Sequence, residues 1–152
     1  MSSIKNYSII RLTKDLITTH QLALLRIDED VVWERWSIDK FLEDRDQKWN
    51  FSLLALSNEQ PIGYIIASSK IISIHIHYFV IHKNWRGIGV GAEMLNNLKK
   101  LSNNSGMKFI TLKSYAFNEN AINYYKKFGF VQTSKDIEKG QIELQLSIAD
   151  VL

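Results

Sequence analysis

The apolar positions of the chain change period several times, and each change marks an element. Leu16, Ala23, Leu24 and Ile27 recur at helical spacing behind Thr13, a side chain suited to capping, so one helix is expected over this stretch. Ser37 starts a second, short helix in "SIDKFLEDRD", with Asp39 in the first turn where the helix dipole favours a carboxylate. "FSLLAL" and "PIGYIIAS" read as two strands joined by a hairpin loop, "SNEQ", with Pro61 at a strand start where a missing N–H is tolerated. "IISIHIHYFVI" is rich in β-branched and aromatic residues and reads as one long strand. Beyond a glycine-rich turn, Val90, Met94, Leu95, Leu98 and Leu101 return to helical spacing until "SNNSG" breaks it. "MKFITLK" is a further strand, and "NENAINYYKKF" a helix between a capping Asn118 and a terminating Gly129. "FVQTS" and "QIELQLSI" close the chain as two strands about "EKGQ".

The order is thus strand, two helices, three strands, helix, strand, helix, two strands. Strands joined directly should be antiparallel, whereas the helical crossover from the long strand to "MKFITLK" implies a parallel pair. The fold class expected is α/β (α+β), a mixed, mostly antiparallel central sheet flanked by helices. With 152 residues the chain suits one domain, residues 1–152.

Composition narrows the chemistry. The 19 basic against 16 acidic residues give a net charge of +3, enough to suit an anionic ligand but short of a nucleic-acid footprint. The absence of cysteine removes disulfides, thiolate zinc sites and thiol nucleophiles. No spacing suggests a metal site. The N-terminus lacks the apolar stretch of a signal peptide and no run approaches a membrane span, so a cytoplasmic protein without a membrane partner is expected.

The turn "NWRGIGVG" carries glycines at 87, 89 and 91 beside Arg86, between a strand and a helix start. First-turn amides lack helical partners and the dipole there is positive, so the main chain can hold a phosphate, with glycines allowing close approach and the arginine offering a fork of donors. A bare strand-to-helix connector is the alternative. Neither the dinucleotide fingerprint nor a Walker loop fits, because the glycine spacing and the residues that follow are wrong for both.

Arg86, Gly89 and Gly91 match R-x-x-G-x-G, and Asn118, Ala121, Tyr125, Gly129 and Phe130 fill N-x-x-A-x-x-x-Y-x-x-x-G-F. In both motifs, and in element order over nearly the whole chain, the protein resembles the GNAT superfamily of acetyl-CoA-dependent N-acetyltransferases. The resemblance implies a sheet of about 6–7 strands with about four helices, splayed near its middle around coenzyme A. It implies that pantetheine pairs with Phe79, Val80 and Ile81, and that the pyrophosphate sits on Arg86, Gly87, Ile88, Gly89, Val90 and Gly91. Asn118 would then contact pantetheine, the Phe79 N–H would face the oxyanion, and the Tyr125 hydroxyl would lie beside the thioester sulfur as general acid. Lys83 departs from the family, many members of which carry proline there.

Acetyl transfer to an amine needs the amine neutral, a site for the oxyanion and a proton for the thiolate. His75 and His77 lie two apart on the long strand and are expected to face the same side as Phe79 and Ile81, with His77 nearer the reactive end. The pair resembles a His-x-His of arylalkylamine-type members of the family; half-buried packing is the alternative. Tyr125 shares a helical stripe with Ala121 and Phe128, compatible with both packing and catalysis. His20 and His82 are poorer candidates. Asp28, Glu29, Asp30 and Glu34 could draw a cationic amine or form a solvated loop, and Trp33 and Trp36 could wall the acceptor or pack the helices. Three readings follow: an acetyltransferase for a small-molecule primary amine; a protein N-terminal or lysine acetyltransferase, because "RWSIDKFLED" resembles a segment of ribosomal-protein N-terminal acetyltransferases; or a noncatalytic acyl-CoA-binding module. The sequence leaves a homodimer as open as a monomer.

Overall fold

Pairing of the strand-like runs is the first thing the computed structural model settles; it describes residues 6–28, 30–31 and 35–148. The strands are β1 (Ser8–Arg11), β2 (Leu53–Ser57), β3 (Gln60–Lys70), β4 (Ser73–Ile81), β5 (Phe109–Tyr115), β6 (Val131–Asp136) and β7 (Gln141–Ser147), joined in one sheet of order β1-β2-β3-β4-β5-β7-β6. All neighbours are antiparallel except β4 and β5. That pair is the one bridged by a helical crossover, as chain connectivity requires.

The helices are α1 (Lys14–Thr19), α2 (Gln21–Ile27), α3 (Ile38–Leu42), α4 (Lys48–Phe51), α5 (Val90–Asn104) and α6 (Glu119–Phe128). Six stand where about four were expected, for two local reasons. The first expected helix divides at His20, which ends α1 through its N–H to Leu16 O and starts α2 as acceptor from the Leu24 N–H. Phe51, expected in a strand, instead closes the short α4, so β2 begins only at Leu53. The anticipated caps form: Thr13 accepts from Leu16 N, Ser37 from Lys40 N and Asn118 from Ala121 N. Gly129 ends α6 at φ 123°, a conformation that favours glycine.

The central strands of the sheet are covered on both faces, whereas β6 at its edge is exposed throughout. One face carries Ala55, Ile65, Ile74, Ile76, Leu112 and Leu144, packed against Val90, Met94, Leu95 and Leu98 of α5 and Ile122 of α6. The other carries Leu54, Tyr64, Ile66, Tyr78 and Val80 against Ile17, Leu24, Ile27 and Phe41 of α1–α3. No helix among the described residues is long and apolar enough to cross a membrane.

One buried cation secures the helical layer. Lys48 is fully buried, and its Nζ donates to the carbonyls of Phe41 at 2.5 Å and Glu43 at 2.6 Å, closing the C-terminal end of α3. Burial lowers its ammonium to about 8. Lys48→Met keeps the aliphatic stem but leaves both carbonyls without this donor; the expected outcome is a loss of about 1–3 kcal/mol in a urea melt.

Candidate active site

β4 and β5 pair only from Ser73–Phe109 to Ile76–Leu112. Beyond that point β4 stays with β3 as far as Ile81 opposite Gly63, while β5 stays with β7 as far as Tyr115 opposite Gln141. The two strands therefore part, and a cavity of about 570 Å³ fills the opening, bordered by Phe79, Val80, Ile81, the glycine turn, Asn118 and Tyr125. Its size is that of a small-molecule site.

Both helices that follow the parting strands begin at this cavity. Gly89 starts α5 at φ 96°, and Gly87 before it has φ 79°, so both need the left-handed freedom of glycine. The first helical acceptor of α5 is used by Glu93 N–H on Gly89 O, which leaves the N–H groups of Val90, Gly91 and Ala92 outside the helix ladder. A 15-residue helix directs its positive end there. Val90 is buried in the core and Ile88 is half-exposed, and neither of these two expected cofactor contacts is among the residues that border the cavity. Gly91 meets a different constraint: a Cβ there would lie 2.8 Å from the Tyr124 hydroxyl and 3.3 Å from the Phe79 ring.

Arg86 is less free than its position in the motif suggests. Its Nε donates to Ile81 O at 2.8 Å, while its two terminal nitrogens reach Asp30 at 2.6 and 3.1 Å. The guanidinium holds the Asp30 carboxyl below its ordinary value. Arg86 thus fastens the α2–α3 connection to the glycine turn. Asp28, two residues earlier, is buried and accepts from the Tyr78 hydroxyl at 2.5 Å. Both described carboxylates of the acidic run are therefore paired within the protein, Asp28 in the interior and Asp30 at the exposed surface bordering the cavity.

The histidines depart from expectation. The β3–β4 register slips between Ile66 and Ala67, so Ile66 pairs with Tyr78, Ala67 with Ile76, and His77 is the extra residue of a β-bulge. Alternation resets there. Ile74, Ile76, Phe79 and Ile81 pack on the α5–α6 side, whereas Tyr78 and Val80 pack on the other. His75 and His77, with ring centroids 4.9 Å apart, lie on the face opposite Phe79 and Ile81, not beside them. His77 nonetheless reaches the cavity. Its Nε2 lies 2.5 Å from Ser68 Oγ, and His75 Nδ1 lies 2.8 Å from Thr111 Oγ1 across the parallel pair. Burial first, then Lys70, Lys113 and Arg45, depresses His75 to about 4; burial and then His75 depress His77 to about 3.

Tyr125 packs between Phe79, at 6.4 Å between ring centroids, and Phe130, at 5.5 Å, and borders the cavity. Burial, with Tyr124 adding to it, raises its phenol above the ordinary value, so it stays protonated. Trp36 is 6% exposed, stacks on Tyr78 at 5.1 Å and meets Phe41 edge-on, so it packs the helical layer and is not among the residues that border the cavity. Glu29, Trp33 and Glu34 lie outside the described residues. Sequence reasoning missed Asp30 as the partner of Arg86, and missed Tyr124 as a cavity residue. Tyr124 did leave a trace, because positions 121, 124 and 125 share one helical face.

A model of the acetyltransferase (GNAT) family matches residues 16–130. The chain is 26% identical to an uncharacterised N-acetyltransferase of Methanocaldococcus jannaschii, over 93% of this chain and 67% of that protein. It is 27% identical to N-alpha-acetyltransferase 50 of Danio rerio, over 81% of this chain and 77% of that one. Among solved structures, Naa50 of Arabidopsis thaliana, in complex with the bisubstrate analogue CoA-Ac-MVNAL, superposes with a TM-score of 0.72 at 25% identity, covering 91% and 97% of the two chains.

Two histidines held neutral make stability depend on pH. Their folded values lie below the ~6.5 of a free imidazole, so the unfolded chain takes up protons first; the contribution is complete above pH ~6.5 and is lost as pH falls toward the folded values. Urea melts from pH 7 to 4.5 should show a loss of about 1 kcal/mol per histidine per pH unit below 6.5. The double variant His75→Asn with His77→Asn should show a shallower slope; an unchanged slope would mean that neither ring is buried neutral.

Proposed function

The chain belongs to the GNAT family of acetyltransferases, and from that premise we propose that it moves an acetyl group from acetyl-CoA to the α-amino group of a polypeptide, by direct transfer within a ternary complex. The observation that carries the transfer is the opening between β4 and β5, with the free first-turn amides of α5 at one end and Phe79 and Tyr125 farther in. Pyrophosphate lies on the amides from Gly87 to Ala92. The pantetheine arm runs between the parted strands, past Asn118, and the acetyl carbonyl oxygen takes the Phe79 N–H.

The amine nitrogen forms a bond to the acetyl carbon, and the C–S bond breaks as the tetrahedral species collapses. The departing sulfur takes a proton held against it by Tyr125, which regains one from solvent. The amine's proton leaves toward His77 and Ser68 and thence to water. Products are the N-acetylated acceptor and coenzyme A.

Acceptor choice follows from the proton requirement. An α-amine has a pKa of ~7.7–8.0, so making it neutral at pH 7 costs about 1 kcal/mol, whereas an ε-amine at ~10.4 costs roughly 4–5 kcal/mol. Imidazoles depressed to about 4 and 3 are weak proton acceptors, suited to an amine that is already partly neutral. This favours a polypeptide N-terminus over the small-molecule primary amine that the sequence alone puts first. The names of the Danio rerio relative and of the Arabidopsis peptide conjugate support the same choice.

Free-thiol release from acetyl-CoA tests it, with short peptides bearing a free α-amine set against N-acetylated peptides with one lysine, polyamines and arylalkylamines. Only the first group should be consumed efficiently. Plotted against pH, kcat/KM should rise through the acceptor's own pKa near ~8 with no inflection at ~6.5. Tyr125→Phe should lower turnover about a hundredfold while leaving the Kd for coenzyme A within about twofold. Lysine or polyamine acceptors used equally well would defeat the acceptor assignment, and no release with any amine would defeat the enzyme assignment.

A further inference from the structure

The third glycine of the turn is explained by neither backbone freedom nor the helix ladder. Gly87 and Gly89 have positive φ and open space where a side chain would go. Gly91 stands inside α5, and what a Cβ would meet there is the Tyr124 hydroxyl at 2.8 Å. Tyr124 is on α6 beside Tyr125, their rings edge-on at 5.6 Å and 74°, yet the two differ in surroundings. Tyr125 is enclosed by Phe79 and Phe130, whereas Tyr124 is 41% exposed and lines the same cavity as the glycine turn. Its ring crosses from α6 to the first turn of α5 and delivers an O–H donor beside the amides that the helix leaves free.

We propose that the Tyr124 hydroxyl is a cofactor-binding group that donates to the diphosphate of coenzyme A, and that Gly91 is glycine so that this hydroxyl can reach the first turn of α5. This rests on the placement of coenzyme A argued above. A phenol donating to a phosphate oxygen is a charge-assisted hydrogen bond, stronger than a neutral one and short in range, so displacing the hydroxyl by the width of a methyl group is enough to lose it. Gly91→Ala is such a displacement, and the half-exposed Tyr124 ring can swing outward to admit it at little cost to folding.

Calorimetric titration of coenzyme A into the full chain, Tyr124→Phe, Gly91→Ala and the double variant tests the pairing. Tyr124→Phe and Gly91→Ala should each weaken binding about tenfold, and the double variant should be no weaker than the poorer single one, because both remove the same bond. Dephospho-coenzyme A, which keeps the diphosphate and lacks the 3′-phosphate, should show the same tenfold loss. Wild-type binding matched within twofold by Tyr124→Phe would overturn the proposal and leave the function intact; so would additive losses, or a loss that disappears with dephospho-coenzyme A. A wild-type chain that fails to bind coenzyme A would overturn the placement on which both depend.

Discussion

Everything in this molecule depends on a pairing that stops. β4 and β5 exchange hydrogen bonds over four residue pairs and then follow other neighbours, β4 toward β3 and β5 toward β7. Backbone amides and carbonyls on the parted edges lose their sheet partners, and buried main-chain groups without partners must be met by water or ligand. An amide-bearing ligand arm is a fitting occupant. Because α5 follows β4 and α6 follows β5, both helices start where the strands separate, which puts the Gly89 turn and the Asn118 cap on one cavity. Ligand sites at the carboxyl ends of diverging strands arise for the same topological reason in open α/β sheets.

The divergence has a second partner in the bulge at His77. A single extra residue exchanges the faces of everything after it, which is how one strand offers His75 and His77 to the α1–α3 side and Phe79 to the α5–α6 side. The cavity is thereby bordered by chemistry from both faces of the sheet. A strictly alternating strand would have stacked imidazoles and phenyl ring on one side of the sheet.

Local signals were legible in the sequence because their causes are local. Thr13, Ser37 and Asn118 cap where they were expected to, since a cap involves residues three apart, and the crossover that forces the parallel pair follows from element order. The bulge was also written there, though it was not read: Ile74 and Ile76 are two apart, but the next core residue of that face is Phe79, three further on. Other features had no local trace. Asp30 and Arg86 lie 56 positions apart, and only the completed fold shows that the motif arginine is occupied by a carboxylate. The buried pairing of Asp28 with Tyr78, 50 positions away, is of the same kind.

Charge at the site is largely cancelled before any ligand arrives. Arg86 faces Asp30, both strand histidines are neutral, and Tyr125 keeps its proton. What the cavity offers a diphosphate is then Lys113, exposed on its lining, and the array of amides at the start of α5, a fixed set of dipoles that needs no reorganisation when the anion binds. The same neutrality suits the other substrate. A cationic amine would have to shed its proton against weak acceptors in a partly desolvated cleft, whereas an amine already near neutrality enters with little to give up. On the proposed reading, cofactor and acceptor would both be selected by dipoles and by proton affinity more than by net charge, and the modest excess of +3 would say little about the acceptor.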